Sequence, residues 1–362
     1  MRKGVFVLLV TLIVFSFGCV FASSEMEIPD TIRVKMPDGR IEKIDMDTYL
    51  YSVVQSEMGL YYRASGMKNG ERVPLEALKA QAVASRSYAV YNMLHAGADA
   101  KFDVTSTTSS QVYKEGNTID GLVKQAVDET SGQVIMYDGE VACAYFFSTS
   151  GGHTEASENV WYAALPYLRG VEDKYEIEVD GNSSWEVTYT ASEIENKFPE
   201  IGELEKIKII ERSENDRVIE LKIVGSDASK VLLKNGIRTS LGSVKLKSQW
   251  FDVEFDGKEV VFTGKGFGHG IGMSQNGAIG MALEGFAYDE ILEWYYTDVD
   301  ILGFQKKPSS RRKVDKEEKN EEIIEEPKED VIGEEEEIVI EPKPMLERLT
   351  AFCTTNWLLK LI

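Results

Sequence analysis

The feature that most constrains this chain is a run of alternating glycines near residue 270. Residues 263–278 read TGKGFGHGIGMSQNGA, with glycine at five alternating positions and His269, one of three histidines, among them. Glycine has no Cβ atom, so a ligand can approach such a backbone closely. The spacing differs from the G-x-G-x-x-G pattern of dinucleotide sites, and the helical pattern that follows starts too late to receive a pyrophosphate. We therefore predict a binding surface for a ligand other than a nucleotide, with a tight turn between a strand and a helix as the alternative.

The amino terminus has the three parts of a secretory signal. It begins Met-Arg-Lys, continues with an apolar stretch over 4–17, and has small residues near Ala22. We predict a signal peptide over 1–22 and an exported protein, either in the cell wall or tethered to the membrane. The alternatives are an uncleaved anchor that contacts the membrane, since the stretch falls just short of the roughly 17–25 residues that span a bilayer, and lipidation at Cys19.

Charge and cysteine content exclude several classes of function. The net charge is −21, and much of the acid lies in 306–344, which we predict to be a disordered tail. An acidic chain does not favour nucleic acid as a partner. Three cysteines, at 19, 143 and 353, give neither a disulfide framework nor a zinc spacing, and we expect no metal and no cofactor. The apolar segment 345–362 fits an amphipathic helix or a segment without a selected role.

Periodicity predicts an α+β fold over 30–305. A hairpin over 31–47 turns at Asp38-Gly39, and Asp47 then caps a helix over 48–58. A second helix, rich in small residues, starts at Pro74 and runs to about 94. Further patterns predict strands over 105–113, 134–137 and 141–149 and a helix over 121–130. We expect a mixed sheet with packed helices around a central groove, and a smaller β-rich subdomain inserted at about 175–250.

Four sequence blocks carry a resemblance to a known family. They are 74-PLEALKAQAVASRSYAV-90, 145-YFFSTSGGHTE-155, 166-PYLRGVED-173 and GHGIGMSQNGA from 268. In this order they resemble the stage II sporulation protein D family, which includes the amidase-enhancer (LytB-type) proteins. The resemblance implies a lytic transglycosylase that cleaves peptidoglycan glycan strands, either intact or stripped of stem peptides, and leaves 1,6-anhydro-muramyl ends. It equally implies the alternative of a non-catalytic wall-binding enhancer of an N-acetylmuramoyl-L-alanine amidase.

Two glutamates are candidates for the catalytic acid of such a reaction. One carboxyl can protonate the departing oxygen and then accept a proton from the sugar's C6 hydroxyl. Glu57 lies on the apolar face of its predicted helix and near the carboxyl end of that helix. Burial on the apolar face and the helix dipole both raise the pKa of a carboxyl there. Glu76 lies in the first turn of the second predicted helix, where the helix dipole lowers the pKa of a carboxyl. The alternatives without catalysis are a buried Glu57 paired with Arg86, and a Glu76 paired with Lys79.

Substrate-binding candidates come from the matching blocks and their surroundings. A polar turn follows an aromatic strand and suits sugar hydroxyls and N-acetyl groups, although an ordinary Ser/Gly turn explains it equally well. The glycine-rich block supplies the other main candidates, and no role is assigned to His153. The full set of substrate-binding candidates is Ser148, Ser150, Gly151, Gly152, His269, Ser274, Gln275, Arg86 and Gln111.

Overall fold

The computed structural model describes residues 28–304. The predicted signal peptide over 1–22, the predicted disordered tail over 306–344 and the segment 345–362 lie outside these residues. The described part contains eight α-helices, sixteen short strands and one 3₁₀ turn, which confirms the predicted α+β class. No helix within 28–304 has both the length and the apolar character needed to cross a membrane.

The helices are α1 Met46–Met58, α2 Leu75–His95, α3 Gly121–Glu129, α4 Ser157–Val160, α5 Ala191–Lys197, α6 Gly236–Leu241, α7 Gln275–Leu283 and α8 Tyr288–Tyr295, and the 3₁₀ turn is Pro199–Ile201. The strands are β1 Thr31–Lys35, β2 Ile41–Asp45, β3 Tyr61–Tyr62, β4 Glu71–Arg72, β5 Val104–Thr105, β6 Gln133–Tyr137, β7 Glu140–Val141, β8 Phe146–Phe147, β9 Ser184–Thr190, β10 Leu204–Arg212, β11 Val218–Gly225, β12 Ser229–Leu233, β13 Trp250–Phe255, β14 Glu259–Lys265, β15 Met273–Ser274 and β16 Asp300–Gly303.

The predicted hairpin and first helix are present, with one difference at the helix start. Strands β1 and β2 pair antiparallel, and α1 follows β2 directly. The N-cap is Asp45, whose carboxylate accepts the amide of Thr48 at 3.0 Å. The prediction that Asp47 is the cap was wrong, because Asp47 already lies in the first helical turn. Asp45 has the extended backbone that lets a cap side chain turn back onto the helix.

Helix α2 lies at the centre of the described part and is buried on nearly all sides. Every residue from 77 to 90 except Lys79 is buried. One side packs into a first core with α1, α3 and the β1–β2 hairpin, where Leu78 and Ala82 are buried. The other side contributes Ala80, Val83 and Ala84 to a second core with α7 and α8. The small residues of α2 allow neighbours to pack closely on both sides.

Two of the predicted strands are shorter than the pattern indicated. Over 105–113 only Val104–Thr105 pairs with β1. The remainder folds back on itself, because Thr105 N–H donates to Ser110 Oγ at 3.1 Å and Tyr113 N–H donates to the carbonyl of Ser106 at 3.0 Å. Over 141–149 the strand is likewise broken into the ends β7 and β8. These loops carry residues of the candidate site.

Strands β9 to β14 and helices α5 and α6 surround a third core. Its buried side chains span residues 185–262 and include Trp185, Phe251 and Phe262. The strands form two antiparallel three-stranded sheets, ordered β10-β11-β12 and β13-β14-β9. The boundaries of the inserted subdomain, about 175–250, stay a prediction.

Candidate active site

Glu57 lies in the last turn of α1 and is largely withdrawn from water. Its Oε1 atom accepts the backbone N–H of Val112 at 2.6 Å, and its carboxylate also accepts the side-chain amide of Gln275. Burial raises the pKa of Glu57, and the two hydrogen bonds oppose this only in part. The sequence position of Glu57, on an apolar face at a helix carboxyl end, is the reason for this burial. The side chain therefore has the property required of a proton donor.

A buried polar chain connects Glu57 to α2. The amide of Gln275 donates to Gln81 Oε1 at 3.2 Å as well as to Glu57. Gln81 in turn donates to Ser85 Oγ at 2.9 Å, and Gln111 donates to the carbonyl of Ser85 at 3.2 Å. Glutamine amides have two donors and one acceptor, so each can bridge two neighbours. This chain, which we call the glutamine network (Gln81, Ser85, Gln111 and Gln275), reaches Glu57 through Gln275.

Glu76 occupies a different environment. Its carboxylate accepts Lys79 Nζ at 2.9 Å and the backbone N–H of Tyr288 at 2.9 Å, and its side chain is 32% exposed. Lys79 also pairs with Glu129 at 2.7 Å. The structure thus places Glu76 in an ion-paired cluster at the start of α2, separate from the glutamine network. This matches the non-catalytic alternative for Glu76.

His269 is held among aromatic rings. The ring centroids of Trp161, Phe147 and Tyr145 lie 5.1, 5.4 and 6.1 Å from the imidazole. Its Nδ1 atom accepts the N–H of Ile271 at 3.1 Å, and it also hydrogen-bonds to the backbone of Phe146. Burial, reinforced by the positive charge of Arg238, lowers the pKa of His269 to about 3. The ring is therefore neutral near pH 7 and cannot act as an acid there.

The alternating glycines serve the protein's own packing. The backbone φ angle of Gly272 is +74°, and a Cβ there would lie 2.1 Å from the carbonyl oxygen of Tyr145. Gly270 has a φ angle of +85°, and a Cβ there would meet the guanidinium of Arg217 at 2.6 Å. The expectation that these glycines leave space for a ligand is wrong at these two positions, because protein atoms fill that space. The run is a closely packed turn between β14 and β15.

The polar turn after β8 holds a carboxylate. Ser150 and Gly151 donate their backbone N–H groups to Glu176, the latter at 2.9 Å. Ser274, the N-cap of α7, donates its hydroxyl to the same carboxylate at 3.0 Å. Three predicted substrate-binding residues are thus brought together, and their donors are directed at Glu176.

The other substrate-binding candidates make hydrogen bonds elsewhere in the described part of the chain. Ser148 hydrogen-bonds to Thr149 Oγ1 at 3.0 Å, and Gly152 donates to Ser150 Oγ at 2.9 Å. Arg86 is fully buried, and its guanidinium donates to the carbonyls of Gln133 and Val127 at 3.1 and 3.3 Å. Arg86 therefore binds backbone carbonyls next to α2. The alternative of an ion pair between Arg86 and Glu57 is not what the structure shows. Gln111 belongs to the glutamine network.

Two acidic residues were missed by sequence reasoning. Asp173 is buried and accepts the hydroxyl of Tyr295 at 2.6 Å. Burial raises the pKa of Asp173, while burial and then the nearby Asp173 charge raise the pKa of Glu176 to about 6. Asp173 ends one of the matching blocks, but no periodic pattern places Glu176. Gln81 was also missed, although a glutamine within a stripe of small residues on α2 is a usable signal.

A shallow depression of about 310 Å³ is lined by Tyr288, Glu293 and Ile301 among others, and none of Glu57, His269 or Gln275 lines it. Between residues 28 and 304, no group of three or more His, Cys, Asp or Glu side chains is arranged to hold a metal ion.

Comparison with known proteins agrees with the sequence blocks. Residues 38–137 match the family described as stage II sporulation protein, and residues 182–272 match a family described as a domain of unknown function. The stage II sporulation protein D of Bacillus subtilis is 33% identical over 277 residues, which are 72% of this chain and 75% of that protein. An uncharacterised protein of Brachyspira hyodysenteriae is 33% identical over 296 residues, 80% of this chain and 74% of its own length.

A further relative carries a different name. The amidase enhancer of Bacillus subtilis is 28% identical over 278 residues, which are 64% of this chain but 38% of the enhancer. The matched segment therefore covers less than half of the amidase enhancer but most of the sporulation protein. With a third of its residues identical over three quarters of the sporulation protein, this chain belongs to the stage II sporulation protein D family.

Proposed function

We propose that the protein is an exported lytic transglycosylase that cleaves peptidoglycan glycan strands, with Glu57 as its acid and base. The observation that supports this most directly is the half-buried carboxyl of Glu57, whose pKa is raised by desolvation and which contacts Val112 and Gln275. A proton donor needs a raised pKa and a defined orientation.

The proposed reaction uses one carboxyl twice. Protonated Glu57 gives its proton to the glycosidic oxygen as the bond from C1 of the muramyl residue to that oxygen breaks. The carboxylate then accepts the proton of the C6 hydroxyl while the C6 oxygen bonds to C1. The products are a 1,6-anhydro-muramyl end and a new sugar hydroxyl, and no water is consumed. Because the first step needs the protonated carboxyl, we expect activity to fall as the pH rises through the raised pKa of Glu57.

The second candidate function is that of a non-catalytic enhancer of a wall amidase. It is favoured by the match to the amidase enhancer over 278 residues. In this case Glu57 and the glutamine network would stabilise a glycan-binding domain, and the protein would act only with a partner amidase.

Mass analysis of products from denuded glycan strands tests the proposal. We expect wild-type protein to release anhydro-muramyl products and the Glu57→Gln variant to lose about 10²- to 10⁴-fold in rate, the usual contribution of a general acid. Glu76→Gln is the matched control, since it removes a helix carboxylate that is ion-paired with Lys79. Release of anhydro products by the Glu57→Gln variant at the wild-type rate would show that another group is the acid.

The same variants separate the two functions. If wild-type protein releases no anhydro product, yet binds glycan and increases the rate of an added wall amidase, the enhancer function replaces the enzymatic one. Glycan binding should then be retained in both glutamine variants.

A further inference from the structure

Two consecutive residues at the start of α7 contact two different carboxyls. The Ser274 hydroxyl donates to Glu176 at 3.0 Å, and its oxygen also accepts the N–H of Gly277 at 3.2 Å as the helix cap. The next residue, Gln275, donates to Glu57. The contacts to Glu176 and to Glu57 are therefore made by adjacent residues of one helix turn.

Glu176 lies close to the buried Asp173. The two carboxyls are within hydrogen-bonding reach of each other, and Asp173 is 2% exposed. Asp173 Oδ1 accepts Tyr295, whereas Oδ2 receives no well-directed hydrogen bond from the residues in 28–304. Two carboxylates cannot hydrogen-bond to each other without a proton, and a proton between them would supply the donor that Oδ2 lacks.

The surroundings can offset only part of two negative charges. Arg217 faces both Glu155 and Glu176, so its single positive charge is shared, and its guanidinium donates to the carbonyls of Ser150 and His153, at 2.8 and 3.1 Å. Tyr295, on α8, is neutral near pH 7 because burial raises its pKa. The donors on Glu176 are neutral amides and a hydroxyl.

We propose that Asp173 and Glu176 share one proton and act as a positioning pair that holds the first turn of α7, and with it Gln275, against Glu57. The role assigned to Glu57 rests on the proposed function, whereas the sharing of the proton does not. At higher pH the pair loses its shared proton, the two carboxylates repel each other, and the contact of Ser274 with Glu176 changes. The geometry at Gln275 then depends on the protonation of a pair that does not touch the substrate.

Carboxyl ¹³C NMR titration of the folded protein tests the shared proton, with signals assigned from Asp173→Asn, Glu176→Gln and Glu57→Gln. We expect the signals of Asp173 and Glu176 to shift together in two steps. In Asp173→Asn, Glu176 should titrate in a single step at a pH lower by about one unit or more, because the like charge is gone. Independent titration of the two groups, with Glu176 unmoved in Asp173→Asn, would overturn the proposal.

The side-chain amide signals of Gln275 test the positioning. In wild type they should shift at the upper step of the pair as well as at the Glu57 step. In Ser274→Ala, which keeps both carboxyls, the pair should still titrate in two steps while Gln275 no longer follows it. If Asp173→Asn does not fold, Ser274→Ala alone still tests the positioning. Glu76→Gln is the control, and it should leave the two-step titration of the pair and the shift of the Gln275 signals intact. A Gln275 response to Glu57 alone in wild type contradicts the positioning role, and no turnover is needed for either measurement.

Discussion

Glu57 and Glu76 show how strongly local surroundings decide the chemistry of one residue type. Glu57 receives one backbone and one side-chain amide and is otherwise desolvated, so its neutral form is favoured. Glu76 accepts hydrogen bonds from Lys79 and from a backbone amide at a helix start. The helix positions of the two glutamates were predictable from the sequence, because helix bounds are readable from periodicity. The partners of each carboxyl were not, since Val112 and Gln275 lie far along the chain from Glu57.

Neutral His269 should make stability depend on pH. The pKa of its imidazole is about 3 in the folded protein and about 6.5 when unfolded. The contribution of the neutral imidazole to the free energy of unfolding is therefore present above pH 6.5 and is lost as the pH falls towards 3. Between pH 7 and pH 5, we expect the free energy of unfolding to fall by about 1–2 kcal/mol more in wild type than in His269→Gln. Denaturant unfolding at both pH values measures this, and an equal pH loss in the two proteins would show that the folded imidazole titrates normally.

Among the elements, α7 is constrained by its neighbours on two sides. A Cβ on Gly280 would lie 1.7 Å from the carbonyl oxygen of Tyr175, and a Cβ on Gly277 would lie 1.9 Å from Tyr295 Oη. In a free helix, alanine is favoured over glycine by about 1 kcal/mol. Here packing reverses that preference. The same close approach keeps the segment around residue 175 against α7, next to the Asp173 and Glu176 pair.

Substitution of Gly280 tests this packing. We expect Gly280→Ala to lower the free energy of unfolding by about 1–3 kcal/mol, the usual cost of overpacking. Gly121→Ala is the matched control at a helix start, because a Cβ there meets no atom within 4 Å. The control should be neutral or stabilising in the same denaturant measurement. Equal stability of Gly280→Ala and wild type would mean that α7 and the segment at 175 can separate at little cost.

The elements differ in how far the sequence could predict them. The β1–β2 hairpin and helices α1, α2 and α3 follow from local periodicity, and their bounds agree with the prediction within a few residues. The segment 105–113 alternates like a strand but closes on itself, because the Ser110 hydroxyl accepts the N–H of Thr105 and the backbone carbonyl of Ser106 accepts the N–H of Tyr113. The pairing of Ser150 with Glu176, and of Ser274 with the same carboxylate, arises only when three distant segments meet. Such convergence has no signature in a single sequence.

In the molecule as a whole, Arg217 connects the third core to the site. It precedes β11, is 1% exposed, and donates to the carbonyls of Ser150 and His153. Burial lowers its pKa to about 10, so it is charged near neutral pH. The nearby Glu155 is also buried, and it accepts Asn159 at 2.9 Å and Asn215 at 3.2 Å. The third core is therefore joined to the rest by buried polar contacts.

Removal of this connection should destabilise the protein. We expect Arg217→Gln to lower the free energy of unfolding by about 3 kcal/mol, because two buried carbonyls lose their donor. Arg40→Gln is the control. Its guanidinium is 56% exposed and pairs with Asp38 at 2.6 Å on the surface, so the loss should be much smaller than for Arg217→Gln. Circular dichroism and tryptophan fluorescence would follow both unfolding transitions, and equal losses in the two variants would argue against a special role for Arg217.

Helix α2 is surrounded by two cores and also carries Gln81, the link between Gln275 and Ser85. From 77 to 90 it offers almost no position where a larger side chain could point into solvent. In a library of random substitutions across the whole chain, this stretch should therefore accept the fewest replacements. The residues that accumulate changes in laboratory evolution would lie elsewhere, and the spacing between the two cores would be inherited nearly unaltered.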